Sequence, residues 1–339
     1  MDSLASLEYP ACGFSILYEY GLFRQKIVDG LQVEMPDIWL PGGEVWLEPR
    51  TDRIFTVKFG GRVKENWQDG HLEIIYEGAD EVEAVPYDML ISGGDSDGVS
   101  RLRLWRARDT RSFNMGLFTQ GQYTRALEES NNAEIISKVL YPSDNHTEGK
   151  LLRLTQQYFL TSASVQNIIR DHMAVYRNIE TLPDKVAIHI NDTHPALVIP
   201  ELMRILMDEY FLSWEKAWNI TVRTVSYTNH TVMPEALEKW SEDIFGLKLP
   251  RIHMIVKEIN ERFSREAWNA YPGNWNRIAG MSILSYGQVN MANLAVVGSH
   301  SVNGVSKLHS EILTESIFKS FYRMYPERFT NVTNGVAHR

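Results

Sequence analysis

The stretch Val186-Ala187-Ile188-His189-Ile190-Asn191-Asp192-Thr193-His194, followed by Pro200-Glu201-Leu202-Met203-Arg204-Ile205-Leu206, decides the fold class. Its first five residues read as a short buried strand, and the polar run behind them as the turn that leaves it. A proline at the start and an acid in the first turn mark Pro200-Glu201 as the opening of a helix. The same grammar returns: a strand over about 222–227 ends in Thr228-Asn229-His230-Thr231, and Pro234-Glu235 opens the next helix, with Glu235 and Lys239 at i,i+4. A third unit runs from a strand at Ala295-Val296-Val297 through Gly298-Ser299-His300-Ser301-Val302-Asn303-Gly304 to a helix from about Leu308. Strands alternating with helices imply crossovers and a parallel sheet. Ligands of such sheets bind beyond the carboxyl ends of the strands. Three strand ends carrying His with Asn, Asp, Ser or Thr therefore converge on one polar crevice.

Upstream the pattern changes. To about Arg108 the chain reads as strands: Phe55, Val57 and Phe59 alternate with polar neighbours, as do Leu102 and Leu104 among Arg101, Arg103 and Arg106, which predicts one buried sheet face. The cluster Gly93-Gly94-Asp95-Ser96-Asp97-Gly98 begins like a calcium loop but lacks the later ligands and the bidentate Glu, so it reads as an exposed turn. From about Gln120 helices take over, one across roughly 121–139 and one from Glu148 to about His172, where Leu151, Leu154, Tyr158, Val165 and Ile169 recur at helical spacing. Between them Tyr141-Pro142-Ser143-Asp144-Asn145-His146-Thr147-Glu148-Gly149 is dense in turn formers and reads as an exposed connection.

Composition narrows the function classes. At 339 residues with 44% hydrophobic content the chain buries a sizeable core in one large domain or two close ones. A net charge of -9 repels a phosphate backbone, so nucleic acid is not an expected partner. Cys12 is the single cysteine, which excludes an internal disulfide and a thiolate zinc site and suits a cytoplasmic location. No apolar run reaches the length of a membrane span, and none is expected. In a cytoplasmic chain the five Asn-x-Ser/Thr triplets, at Asn145, Asn191, Asn219, Asn229 and Asn331, are chance matches.

Asp, Asn, Thr and His at the strand ends mix donors and acceptors with little net charge, which suits recognition of several hydroxyl groups, as on a sugar. For Asp192 and His194 two readings stand side by side: ligand binding, or a strand-to-helix cap and a satisfied imidazole. His300 favours the structural reading. His189 and His194 lie across a strand and turn with no third ligand, which argues against a metal. Gly-x-Ser-x-Gly, Gly-x-x-x-x-Gly-Lys-Ser/Thr and Gly-x-Gly-x-x-Gly motifs are missing, so hydrolase, nucleotide triphosphatase and dinucleotide-dehydrogenase readings lack support.

A longer, ordered set of segments resembles the α-glucan phosphorylases, the family of the glycogen, starch and maltodextrin enzymes. These are Tyr18-Glu19-Tyr20-Gly21-Leu22-Phe23 with Gln25-Lys26, Tyr141-Pro142-Ser143-Asp144-Asn145, and Asn191-Asp192-Thr193-His194-Pro195 with Pro200-Glu201-Leu202-Met203-Arg204. They continue through Tyr227-Thr228-Asn229-His230-Thr231, Pro234-Glu235-Ala236-Leu237-Glu238, Gly298-Ser299-His300-Ser301-Val302-Asn303-Gly304-Val305 and Thr333-Asn334-Gly335, spanning nearly the whole chain.

The resemblance implies an α/β fold, the partial Rossmann-like N-terminal half of a two-domain glycosyltransferase of GT-B type, with a β-rich part to about residue 110 and an α/β part over about 111–339. It implies phosphorolysis of α-1,4-glucan by orthophosphate to α-glucose 1-phosphate in the intact enzyme, with pyridoxal phosphate as cofactor and a homodimer as the usual assembly. His230 resembles the catalytic-site histidine that holds the glucose 6-hydroxyl and turns its carbonyl toward the developing oxocarbenium ion, and Asn334 the second 6-hydroxyl ligand. Asp144 and Asn145 resemble a mobile gating loop that contacts the sugar, while Asp192, His194, Thr231 and Glu235 resemble residues lining the pocket. In the family a Gly-rich phosphate loop precedes the segment matched by Met1-Asp2-Ser3-Leu4-Ala5, and a second domain with the cofactor lysine and the orthophosphate-binding residues follows the segment ending at Arg339. The expectation is thus an incomplete N-terminal domain, without the attachment lysine and inactive alone; a non-enzymatic glucan-binding module is the alternative. Two departures stand out. Ala337-His338 replaces the usual Thr-Pro, and at Arg170-Asp171 the paired arginines of nucleotide-activated members are missing, which argues against AMP activation.

Overall fold

The computed structural model describes residues 1–40, 42, 45–68, 71–110 and 114–336, so Ala337-His338 lies outside the described residues. The chain is mixed α/β and divides into two compact units, Met1–Phe59 with Ala79–Asn167, and Gly60–Gly78 with Ile168–Arg339.

The first unit is built on a mostly antiparallel sheet. Its strands are β1 (Cys12–Ile16), β2 (Phe55–Phe59), β3 (Asp80–Ser92) and β4 (Val99–Asp109), with the two-residue strand Glu48–Pro49 on β3. The polar turn after Ser92 joins β3 to β4 in register from Ser92↔Val99 to Val82↔Asp109, and β1 adds in parallel at the other edge of β4. That turn docks on the chain start: Gly94 N–H donates to Ser6 Oγ (2.8 Å) and Ser96 Oγ donates to the Ala5 carbonyl (3.2 Å). A helix at Tyr123–Glu134 with a 3-10 turn to Ser137 fills the first predicted helical stretch. The second, α1 (Thr147–Tyr176), contributes its part up to Asn167 to this unit.

Strand β2 alternates as the period of two predicts, with Val57 and Phe59 buried and Thr56 and Lys58 exposed. Strand β4 does not. Leu104 packs with Leu17 and Leu47, and Leu102 lies half-buried against them, but Arg103 and Trp105 on the opposite face are also buried, both at 0% exposure. The reason is α1, which covers that face: Trp105 Nε1 donates to Ser164 Oγ (3.0 Å) and Arg103 Nη1 to Asn167 Oδ1. The Arg103 guanidinium also grips Asp88 through two parallel bonds of 2.7 and 2.6 Å, and Asp88 is itself only 3% exposed. An arginine among leucines thus reads as solvent-facing in sequence but serves as the buried cation of a bidentate pair.

The second unit carries a four-stranded parallel sheet of β5 (Ile188–Asn191), β6 (Val225–Thr228), β7 (Ser301–Gly304) and β8 (Phe329–Asn331), in that order. Helices α2 (Val198–Asp208) and α3 (Trp214–Thr224) connect β5 to β6, and α4 (Pro250–Ala270), α5 (Met291–Val297) and a short antiparallel sheet lie between β6 and β7. Helix α6 (Lys307–Ile312) follows β7. Ile190, Val225, Tyr227 and Val302 are essentially fully buried, as expected for short parallel strands covered on both faces. Buried ion pairs support the helices: Arg204 spans Glu201 at 2.8 and 2.9 Å, and Arg251 spans Asp208 at 2.9 and 2.6 Å.

Four boundaries differ from the sequence reading. The strand read over about 222–227 starts only at Val225, because residues 222–224 close helix α3. Helix α2 begins at Val198, so Pro200 sits inside its first turn, where no intrahelical N–H bond is lost. Pro234–Ala236 forms only a 3-10 turn, because Lys239–Ser241 pairs as a strand with Gln288–Asn290; Glu235 and Lys239 therefore do not share a helix face. Ala295-Val296-Val297 belongs to α5, a helix buried on every side, whose uniform apolarity hides its period. The third parallel strand is instead Ser301–Gly304, reached after Gly298, where a Cβ would come within 2.6 Å of the Ile199 side chain.

The Arg103–Asp88 pair gives the first prediction. Asp88→Ala leaves a buried guanidinium without its carboxylate and should cost about 3–5 kcal/mol of unfolding free energy in urea titration. A loss below about 1 kcal/mol would refute the assignment.

Candidate functional site

Parallel pairing sets Asn191 beside Thr228 and Thr228 beside Asn303, so the carboxyl ends of β5, β6 and β7 finish on one polar row. Side chains lock it. Thr228 Oγ1 donates to Asn303 Oδ1 (2.7 Å), and Asn303 Nδ2 donates to the Gly304 carbonyl (3.0 Å). The hydroxyl proton being used, His189 Nε2 must donate its own hydrogen to the Thr228 oxygen.

Beyond this row the sequence-derived candidates of the second unit gather. Asp192 leaves β5 with φ +62°, a conformation that Asp adopts more readily than most residues, and its Oδ1 accepts the Thr193 N–H (2.7 Å). Its Oδ2 accepts from Thr231 Oγ1 (3.3 Å). Exposed His230 directs Nε2 to Asn191 Oδ1 (2.6 Å); with that nitrogen donating, Nδ1 is the lone-pair position and has no protein partner among the described residues. His194 Nδ1 meets Glu238 Oε1 (3.3 Å), whose other oxygen accepts from buried Thr193 (3.4 Å). A cavity of about 370 Å³ shares Glu238 with this pair and is otherwise lined by residues such as Lys239, Arg277, Asn293 and Phe318.

The other candidates come from other segments of the chain. Glu235 is exposed on its 3-10 turn and its side chain makes no hydrogen bond among the described residues, so Glu238 and not Glu235 is the carboxylate joined to His194. Exposed Asn334 follows β8 and is placed through its backbone, its N–H donating to the Val305 carbonyl (3.0 Å). His300 precedes β7 and bonds the Val222 carbonyl (3.2 Å) at the amino end of the sheet, so it is not a strand-end residue. Asp144 and Asn145 belong to the first unit. There Asp144 is held by Arg153 of α1, Asn145 is exposed, and the Gly149 N–H bonds His146 Nδ1 (3.0 Å). Arg153 and Tyr141 also face Tyr18, whose hydroxyl is pushed up to about 12, chiefly by burial.

Four site residues, Asn229, Asn303, His309 and Glu238, escape sequence reasoning. Asn229 is fully buried: its Nδ2 donates to Tyr227 Oη (2.8 Å) and its Oδ1 accepts the Thr231 N–H (3.0 Å). Burial also drives the Tyr227 hydroxyl pKa strongly upward, keeping it neutral. Asn229 carries the signal of the strand-end run Thr228-Asn229-His230-Thr231, and the signal of Asn303, the Asn-Gly that ends a strand, is obscured by placing that strand at 295–297.

Two imidazoles are held below their ordinary pKa: His189 by loss of water contact and then by nearby His230, and His309 by burial and then His230, with Asp192 opposing. The unfolded chain therefore binds more protons as pH falls through about 6.5, and stability present above that value is lost below it. Accordingly, His309→Gln should show a smaller drop in melting temperature than the wild type between about pH 7.5 and about pH 5.5. Identical slopes would refute the depressed pKa.

Among the described residues no helix is long and apolar enough to cross a membrane, and no group of three or more His, Cys, Asp or Glu is placed to hold a metal. What the rim offers is neutral donors and acceptors around the carboxylates of Asp192 and Glu238, the chemistry of hydroxyl recognition. The carbohydrate phosphorylase family model matches residues 1–339. Glycogen phosphorylase of Bacillus subtilis (strain 168) is 50% identical over 339 residues, covering 100% of this chain and 42% of its own. That of Chlamydia pneumoniae is 46% identical over 344 residues, with the same coverage, and the muscle form of Ovis aries 45% over 350 residues, covering 100% of this chain and 41% of its own. The chain spans about two fifths of the length of these relatives. With its whole described length inside the match, the chain belongs to the carbohydrate phosphorylase family.

Proposed function

We propose that the polar rim is part of the sugar-binding wall of an α-glucan phosphorylase, whose intact subunit cleaves terminal α-1,4 bonds with orthophosphate and releases α-glucose 1-phosphate. The observation that carries this reading is the hydrogen-bonded row at the ends of β5, β6 and β7, in a chain matched from end to end by the family. In the reaction the bond from C1 to the leaving oxygen breaks, a phosphate oxygen joins C1, and a proton reaches the leaving oxygen. Positive charge develops on the sugar ring as the bond opens. The His230 carbonyl accepts no hydrogen bond among the described residues, which leaves its dipole available to that charge. The free Nδ1 of His230 and the side chain of Asn334 are suited to the glucose 6-hydroxyl, and Asp192, His194, Thr231 and Glu235 to the pocket beside it. Asp144 and Asn145 form the gating loop on this reading, with the Asp144–Arg153 contact as its latch.

The parallel sheet with helical crossovers is the Rossmann-like N-terminal half of a GT-B enzyme on the same reading. Pyridoxal phosphate would supply proton transfer at orthophosphate. The rim does not fit that cofactor: an aldehyde takes a lysine amine and a phosphate ester takes cations, and Asn191, Asp192, His230, Thr231 and Asn334 provide neither. On this reading the cofactor and orthophosphate are held elsewhere than on the rim, and the intact enzyme is a cytoplasmic homodimer.

Calorimetry with maltopentaose tests the wall. The purified chain should bind with a millimolar Kd, and the double variant His230→Ala, Asn334→Ala should abolish the heat while keeping its melting temperature. Equal binding by the variant would overturn the assignment. Supplied with pyridoxal phosphate, orthophosphate and maltodextrin, the chain should make no glucose 1-phosphate; turnover would show that the 339 residues suffice.

A further inference from the structure

We propose that His309, buried beneath the rim and in contact with no expected ligand, is a positioning residue that holds Thr231 and Asn334 in one frame. Its functional consequence rests on the sugar-wall reading, whereas its geometry does not. The proton positions follow from two backbone groups that can only donate. The Thr231 N–H faces one end of the Asn229 amide at 3.0 Å, so that end is the oxygen, and the other end is the nitrogen that donates to Tyr227. The same oxygen lies 3.0 Å from His309 Nε2, which must therefore carry hydrogen. On the far side of the ring the Val305 N–H points at Nδ1 (3.3 Å), so Nδ1 must be bare. His309 is thus neutral, in a single tautomer, and bonded at both nitrogens while only 8% exposed.

The ring joins two chain segments of separate origin. Through Asn229 it reaches the turn after β6 that carries His230 and Thr231; through Val305, whose carbonyl accepts the Asn334 N–H, it reaches the segment after β8. Its own backbone is fixed by Ser306, whose Oγ accepts the His309 N–H (3.1 Å) and caps α6. An apolar side chain of similar size would leave the Val305 N–H unpaired and remove one of the two donors to Asn229. Glutamine supplies a donor and an acceptor on one amide and can restore both.

The test uses the whole chain as wild type, His309→Leu and His309→Gln. Long-range nitrogen NMR of the wild type should show His309 Nε2 protonated and Nδ1 bare at neutral pH. Backbone amide signals of Thr231, Val305 and Asn334 should move in the leucine variant and return toward wild type with glutamine. Maltopentaose should bind about tenfold more weakly to the leucine variant and within about twofold of wild type to the glutamine variant. Protonated Nδ1, or Thr231 and Asn334 amides unmoved by leucine, would overturn the proposal, as would equal weakening by both variants. If the amides respond as stated but the wild type binds no maltopentaose, the positioning stands and the sugar-wall reading falls.

Discussion

Asn229 has no exposed surface, and each end of its amide is committed: the nitrogen to Tyr227, the oxygen to both the Thr231 N–H and His309. Its backbone N–H is committed as well, to the carbonyl of Asn303 on the adjacent strand. A buried amide tolerates few alternative arrangements, since any rotation strands a donor or an acceptor away from water. The turn after β6 therefore has one conformation, and His230 leaves it in one direction. Asn303, tied in turn to Thr228, carries the same constraint across to β7. The shape of the rim is a consequence of these buried neutral bonds more than of the exposed residues that would meet a ligand.

The chain uses charge differently elsewhere. Arg103–Asp88 in the first unit and Arg204–Glu201 and Arg251–Asp208 in the second are bidentate pairs with at least one buried partner. Such pairs are little better than apolar packing in net stability, but removing one partner is costly, so they fix how a helix or strand must dock. A ligand made of hydroxyl groups is served poorly by fixed ion pairs, whose charges are already satisfied by each other. Neutral Asn, Thr and His can hold one another and still present a second donor or acceptor outward. The division of labour follows from the chemistry: ion pairs within the units, amides and hydroxyls at the strand ends.

The parallel sheet of the second unit was legible because β5 and β6 end in the same way, large apolar residues closing on Asn or Thr, and because Pro and Glu mark the first turn of α2. The third strand was not, because Ala295-Val296-Val297 is apolar on every side and carries no period that tells strand from buried helix. That misplacement drew His300 toward the rim and hid Asn303. Arg103 was misread for a related reason: alternation reports one covered face, and α1 covers the second from far along the chain. His230, Asp192 and Thr231 were legible through their place after the strands, whereas His309, alone on a short helix, has no local signature at all. Its role exists only once β7 and β8 bring Val305 and Asn334 together.

That difference in legibility has a physical basis. Residues that would touch a ligand follow strand ends, a position that sequence periodicity can find. Residues that orient them are chosen by what lies across the fold, and tertiary contacts leave no trace in local spacing. A preorganised site needs both, because a hydrogen-bonding group that must first be oriented loses binding energy to that ordering. In this chain the ordering is done at folding by Asn229, Asn303 and His309, three side chains that lie behind the surface a sugar would meet. Variation at those positions should therefore alter how the rim is held before it alters what the rim can recognise.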